Sequence, residues 1–200
     1  MSDATRLLMI RHGQSEWNAS GRWQGHADTA LSETGRRQAG HASEVLGTFD
    51  SVWASDLERA HETAHIIAEL LGIGPVQTDP RLRENDVGPW QGLTTTEVEA
   101  GWPGFLDSRR RPPGFEDPAL AVARVLAAMG EIASANAGGE VLIVSHGGVI
   151  AAVHQALGVP DHRVGNLGGS WFTVHGDGRV TAGEAVNLLP IANVTTADVL

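Results

Sequence analysis

Cysteine, tyrosine and lysine are all absent from the 200 residues. Without cysteine there is no disulfide, no cysteine-ligated metal and no thiol nucleophile. Without lysine there is no Schiff base and no Walker-type phosphate loop, whose lysine would reach the phosphates. All 14 basic residues are therefore arginines, so any anion is bound through guanidinium groups. The chain also has no G-x-S-x-G, no G-x-G-x-x-G and no internal repeat. A net charge of −10 and a single basic cluster, Arg109 to Arg111, argue against nucleic acid as a partner. No apolar run is long enough to suggest a membrane partner. The opening MSDATRLLMI carries neither a basic leader nor a cleavage-like site, which reads as a cytoplasmic protein.

The 42% hydrophobic content supplies a core, and the length suits one domain over residues 1–200. Apolar runs bounded by turn signals alternate with stretches of helical period, the sign of an α/β fold with a mostly parallel sheet. Strands are expected at Leu7–Ile10, Ser51–Ala54, Val141–Val144 and Trp171–Val174, with an edge strand over Val180–Val186. Helical spacing links Gly35, Ala39, Ala42 and Leu46. It covers Asp56–Leu71 behind a Ser55/Glu58 capping box, and the alanine-rich Leu120–Ile132. The Pro/Gly-rich stretch 101–118 reads as an excursion over the surface. The tail, 187–200, has no readable role.

HETAH, residues 61 to 65, matches the zinc-peptidase pattern, in which two histidines on one helix face hold the metal and the glutamate activates water. Helix geometry argues otherwise. With Arg59 at 0° and about 100° per residue, His61 and His65 fall near 200° and 240°, beside Glu58, Glu62 and Glu69. Ala60, Thr63, Ala64, Ile66, Ile67, Leu70 and Leu71 fill the opposite arc, which should face the core. The pair therefore points to solvent, and no metal site is expected. His26, His41, His154, His162 and His175 have no assigned partners and read as surface or packing residues.

Three strand ends carry unusual residues. Arg11-His12-Gly13 follows the first strand and Ser145-His146-Gly147 follows VLIV. Arg59 opens the helix after SVWA, where helix-terminal N–H groups favour an anion. In open α/β sheets, ligands bind at strand carboxyl ends.

These residues resemble the signature of the histidine phosphatase superfamily, the group of phosphoglycerate mutase-like enzymes. LLMIRHGQSEWN, GRWQGHADTALSETGRRQA, SDLERAHETA, RLRENDVGPWQG and VLIVSHGG are similar to its successive blocks, in order, from residue 6 to about 157. The resemblance implies a three-layer sandwich with helices on both faces of the sheet. It implies that His12 is the nucleophile, that Arg11, Arg59 and His146 cradle the phosphoryl group, and that Glu84 is the proton donor. Asn18, Gln24, Gly25 and Gly147 are implied as substrate-binding positions, with no cofactor and no metal. In that role Glu84 should start protonated in a partly desolvated site. Without the resemblance, Glu84 would read as a surface carboxylate paired with Arg81 or Arg83.

Mutases of this superfamily resemble one another in a Glu-Arg-His-Tyr stretch after the acid and a Cys-Gly-Trp block at the place that follows Arg22 here. Here those places read NDVGPWQG and WQGHAD, and the chain is shorter, which favours a phosphatase of small phosphorylated metabolites acting through phosphohistidine. A mutase dependent on 2,3-bisphosphoglycerate is the alternative. A non-catalytic phosphate-binding module or a zinc peptidase is a remote one. Trp23, Trp90, Trp102, Phe105 and Arg109 to Arg111 are candidates for a specificity pocket, against a reading as core aromatics and solvated arginines. Glu116 stands eight residues before Arg124, as in phosphatase relatives, but without the serine that usually follows it. A homodimer is left open.

Overall fold

The computed structural model describes residues 4–160 and 163–189. His162 and the greater part of the 187–200 tail lie outside the described residues. The expected strands are present, β2 Ser51–Ala54 with the expected bounds and the others longer: β1 Thr5–Arg11, β4 Glu140–Ser145, β5 Gly168–Val174 and β6 Val180–Asn187. An unexpected β3, Gln77–Thr78, is two exposed polar residues, too short and too polar to leave an apolar pattern. The sheet order is β3-β2-β4-β1-β5-β6. The first four of these strands run parallel, β5 runs antiparallel to β1, and β6 lies at the edge.

Alternation along the two central strands divides the core. Leu7, Met9, Val141 and Ile143 face α5 (Pro118–Ala135) and α6 (Gly147–Ala156), packing on Val125, Met129, Val149 and Val153. Leu8, Ile10, Leu142 and Val144 face α2 (Glu33–Val45) and α3 (Glu58–Leu71), packing on Ala39, Ala42, Ala64 and Ile67. The result is a mixed α/β sandwich of three layers. Helix α5 has a mean hydropathy of 1.3 and is, among the described residues, long and apolar enough to cross a membrane by composition. Its buried residues, Ala121, Val125, Ala128, Met129 and Ile132, pack on the sheet.

Two helix expectations need correction. The Ser55/Glu58 capping box does not form, because the helix starts two residues later than that register requires, with Leu57 as an N-cap making no side-chain bond. The Glu58 N–H instead donates to Asp28 Oδ1 at 2.6 Å, a cap from a distant segment. Leu70 is 61% exposed, since Ala68 is buried and the inward arc is centred further round the helix than Ile66 and Leu70. His61 and His65 are exposed as expected, their ring centroids 6.5 Å apart. Among the described residues no group of three potential metal ligands exists.

A third cluster lies beyond the sheet. Short helices α1 (Glu16–Ala19) and α4 (Thr95–Gly101) flank the segments that bring Trp23 and Trp90 to 4.8 Å between ring centroids. Trp102 and Phe115 also pack on Trp90. The excursion 101–118 lies over this cluster, with Phe105 and Leu106 packed against it.

Candidate active site

Strand register builds the centre of the site. Arg11 pairs with Ser145 across β1 and β4, and the His12 N–H donates to the Ser145 carbonyl at 3.0 Å. One residue further, at the same carboxyl edge, His12 and His146 bring their ring centroids to 5.1 Å. Both rings are buried, and His146 is the N-cap of α6.

Hydrogen bonding sets the tautomer of His12. Its Nδ1 lies 2.6 Å from the Gly13 carbonyl, which can only accept, so the proton sits on Nδ1. Nε2 then keeps its lone pair and accepts from Arg59 Nε–H at 3.2 Å. Burial, followed by the charges of Arg59 and Arg11, holds His12 well below the ordinary 6.5. His146 is depressed by burial and then by Arg59, His12, Arg11 and Arg124. Both nitrogens of His146 are buried without a hydrogen-bond partner among the described residues, an arrangement that costs about 1–3 kcal/mol per group unless a ligand supplies one.

Arg59 is fully buried. Its Nη1 and Nη2 donate to the carbonyls of Ala27 and Gly25 at 2.7 and 2.9 Å, so two of its five N–H groups remain for a ligand. Burial lowers its pKa to about 10, which still leaves it cationic at neutrality. Gly25 holds this geometry with φ +53°, and a Cβ there would lie 2.7 Å from Val87 Cγ2. Arg11 donates to the Val164 carbonyl at 2.9 Å. Gly147 lies against the Arg11 side chain, where a Cβ would come within 3.1 Å of Cδ.

Gln24 Oε1 accepts from the hydroxyls of Ser15 and Thr29 at 2.7 and 2.6 Å, and Asn18 Oδ1 accepts from the Ser15 N–H at 3.2 Å. Each amide thus keeps its NH₂ end for the cavity that both residues line. That cavity, about 580 Å³, is lined by all nine candidate residues except His146, which is buried with its ring centroid 5.1 Å from that of His12.

Glu84 also lines the cavity, and it does not pair with Arg81 or Arg83. Those arginines bind Asp79 with Glu131, and Asp56, respectively. The Glu84 carboxylate accepts from the N–H groups of Gly148 (2.9 Å), Val149 (3.0 Å) and Asn85 (2.8 Å), and from Asn85 Nδ2 (3.1 Å). Every partner is a donor, so the expected carboxyl proton has no acceptor in this geometry.

Sequence reasoning missed several neighbours. His26 is not a mere surface residue, for its Nε2 donates to the Glu84 carbonyl at 2.8 Å. Asn85, Arg22 and Arg163 line the cavity, as do Arg109 and Arg111. Arg110 instead lies over the Phe105 ring. Of the four aromatic candidates only Trp23 borders the cavity; Trp90, Trp102 and Phe105 belong to the apolar cluster behind it. Asp117, the residue after Glu116, caps α5 by accepting from the Ala119 N–H.

Comparison with known proteins decides the family, since a model of the histidine phosphatase superfamily, branch 1, matches residues 7–181. The chain belongs to the histidine phosphatase superfamily. It is 40% identical over 193 residues to a glucosyl-3-phosphoglycerate phosphatase of Mycolicibacterium vanbaalenii, covering 87% of this chain and 85% of the relative. It is 36% identical to a metal-independent phosphoserine phosphatase of Arabidopsis thaliana, covering 78% and 70%. A mycobacterial glucosyl-3-phosphoglycerate phosphatase solved with VO3 superposes with a TM-score of 0.79 at 36% identity, over 91% of this chain and 98% of that one. These relatives are named as phosphatases of small phosphorylated molecules, one of them metal-independent.

The two depressed histidines give the superfamily fold here a predictable pH dependence. Below the unfolded value of 6.5 the unfolded chain takes up protons that the folded chain refuses. Stability is therefore whole above that pH and falls as pH drops through it, by up to about 1.4 kcal/mol per pH unit for each histidine. Urea unfolding between about pH 7 and pH 5 should show this slope, and His146→Asn should flatten it; an unchanged slope would contradict the assignment.

Proposed function

We propose that the protein hydrolyses phosphomonoesters by passing the phosphoryl group first to His12 and then to water. The observation that carries this reading is the Nδ1 bond to the Gly13 carbonyl, which leaves Nε2 basic and facing Arg59. The lone pair on Nε2 attacks phosphorus as the ester P–O bond breaks, and Glu84 gives its proton to the departing alkoxide. Water then attacks the phosphohistidine and returns a proton to Glu84, releasing orthophosphate and neutral His12. Arg11, the two uncommitted N–H groups of Arg59, and His146 meet the charge on the transferred oxygens. The dianion gives the N–H of the His146 ring an acceptor. Asn18 and Gln24 contribute amide donors.

The alcohol portion of the substrate carries a second acidic group in this reading. Six arginines and one glutamate line the cavity, whereas a phosphoryl dianion is matched by Arg11 and Arg59 alone. Arg111 lies over the rings of Trp90 and Phe115 at 5.3 and 5.0 Å, a stacked guanidinium suited to an anion. We place the enzyme in the cytoplasm, with neither nucleic acid nor membrane as partner.

A pair of substrates differing only in that group provides the test. 3-Phosphoglycerate should be hydrolysed with a higher kcat/KM than glycerol 3-phosphate, with orthophosphate and not 2-phosphoglycerate as product, even when a trace of 2,3-bisphosphoglycerate is added. Equal rates would remove the second acidic group from the reading. Isomer interconversion without orthophosphate release would replace hydrolysis by mutase chemistry.

A further inference from the structure

Glu84 stands on a segment with little regular structure. A three-residue 3₁₀ turn, Pro80–Leu82, precedes it, and no strand or α-helix holds residues 83 to 87. A proton donor placed this way needs its backbone fixed from outside. The fixing comes from Arg124, on α5, whose five N–H groups are all committed. Nη1 donates to the carbonyls of Arg81 and Arg83, each at 2.7 Å. Nη2 donates to the Glu84 carbonyl at 2.9 Å and to Glu116 Oε2 at 2.8 Å, and Nε donates to Glu116 Oε1 at 2.8 Å. Glu116 Oε2 accepts in turn from the Asp86 N–H at 3.1 Å. The guanidinium thus replaces the missing ladder up to Glu84 itself, and Glu116, which it holds, extends the fixing to Asp86.

The carboxylate end is held separately, by the N–H groups of Gly148 and Val149 at the start of α6. The fit there is tight, since a Cβ on Gly148 would lie 2.5 Å from Glu84 Oε1.

We propose that Arg124, locked by Glu116, is a positioning residue for the reaction, setting where the Glu84 carboxyl meets the leaving oxygen. This rests on the reading of Glu84 as the proton donor. Displacing an acid matters only when the leaving oxygen needs its proton, so the consequence is a leaving-group signature and not a uniform loss. An alkoxide needs the proton, whereas an aryloxide leaves largely unaided.

The test compares single-turnover rates for an alkyl phosphate and p-nitrophenyl phosphate. Glu84→Gln sets the reference, with an expected loss of about 10²- to 10⁴-fold on the alkyl ester and much less on the aryl ester. Arg124→Gln should lose about 10- to 100-fold on the alkyl ester, as misplacement by an ångström does, and under about threefold on the aryl ester. Combined with Glu84→Gln it should add almost nothing, because the group it positions is gone. Gly148→Ala, which crowds the carboxylate from the other end, should show the same signature. Should Arg124→Gln fail to fold, Arg124→Lys carries the same expectation, since an ammonium cannot span three carbonyls and a carboxylate. Equal losses on both esters, or losses additive with Glu84→Gln, in a folded variant would reduce Arg124 to a structural role and overturn the proposal. If Glu84→Gln itself shows no leaving-group dependence, the acid assignment fails, and the positioning role with it.

Discussion

His12→Ala is expected to lose activity by on the order of 10⁴-fold or more, the scale on which removal of a nucleophile acts in an enzyme with covalent catalysis. The chain has no cysteine, lysine or tyrosine to serve as a substitute nucleophile. His146 lies 5.1 Å away, centroid to centroid, at the start of α6 and not at the end of β1. The loss should appear in kcat with binding of orthophosphate largely kept, because Arg11, Arg59 and His146 remain. The fold should survive as well, for the His12 side chain makes only the Gly13 and Arg59 bonds among those described. Release of orthophosphate from an alkyl phosphate, read beside a thermal melt, checks both halves. Near-full activity in a folded His12→Ala protein would end the mechanism.

Arg59→Lys should cost about 10²- to 10³-fold in kcat/KM, the loss expected when one preorganised donor to the developing charge is removed. The charge is retained, so the loss measures geometry. The guanidinium serves two carbonyls, the His12 ring and the ligand from one rigid plane, and an ammonium with three donors cannot do so. Stability should fall too, because the Gly25 and Ala27 carbonyls are left competing for those donors. Activity within threefold of the parent enzyme would show that the Arg59 fork is not what holds the phosphoryl group.

Much of this centre is legible in the chain because it follows from local patterns. An apolar run ending in Arg-His-Gly and another ending in Ser-His-Gly must deliver their histidines to one edge if both strands are parallel neighbours, and the Arg11–Ser145 pairing does so. The outward face of HETAH is likewise local, set by 3.6-residue periodicity. What stayed hidden depends on partners far apart in sequence. The Asp28 cap on α3, the His26 bond to Glu84 and the five bonds of Arg124 join segments that no periodicity connects. The aromatic residues stay undecided in the sequence for a related reason: tryptophans pattern alike whether they border a cavity, as Trp23 does, or back it, as Trp90 and Trp102 do. Helix α6 was not foreseen because VLIVSHGGVIAAV reads as one apolar run, in which His146 marks the change from strand to helix.

The most direct measurement is to trap the phosphoenzyme. A radiolabelled phosphomonoester mixed with excess enzyme and quenched in base within the first turnover should leave label on the protein, stable to base and lost in acid, as phosphohistidine is. Peptide mapping should place it on His12, and His12→Ala should carry none. Turnover with no labelled protein at any quench time, or label that maps to another residue, would contradict the account.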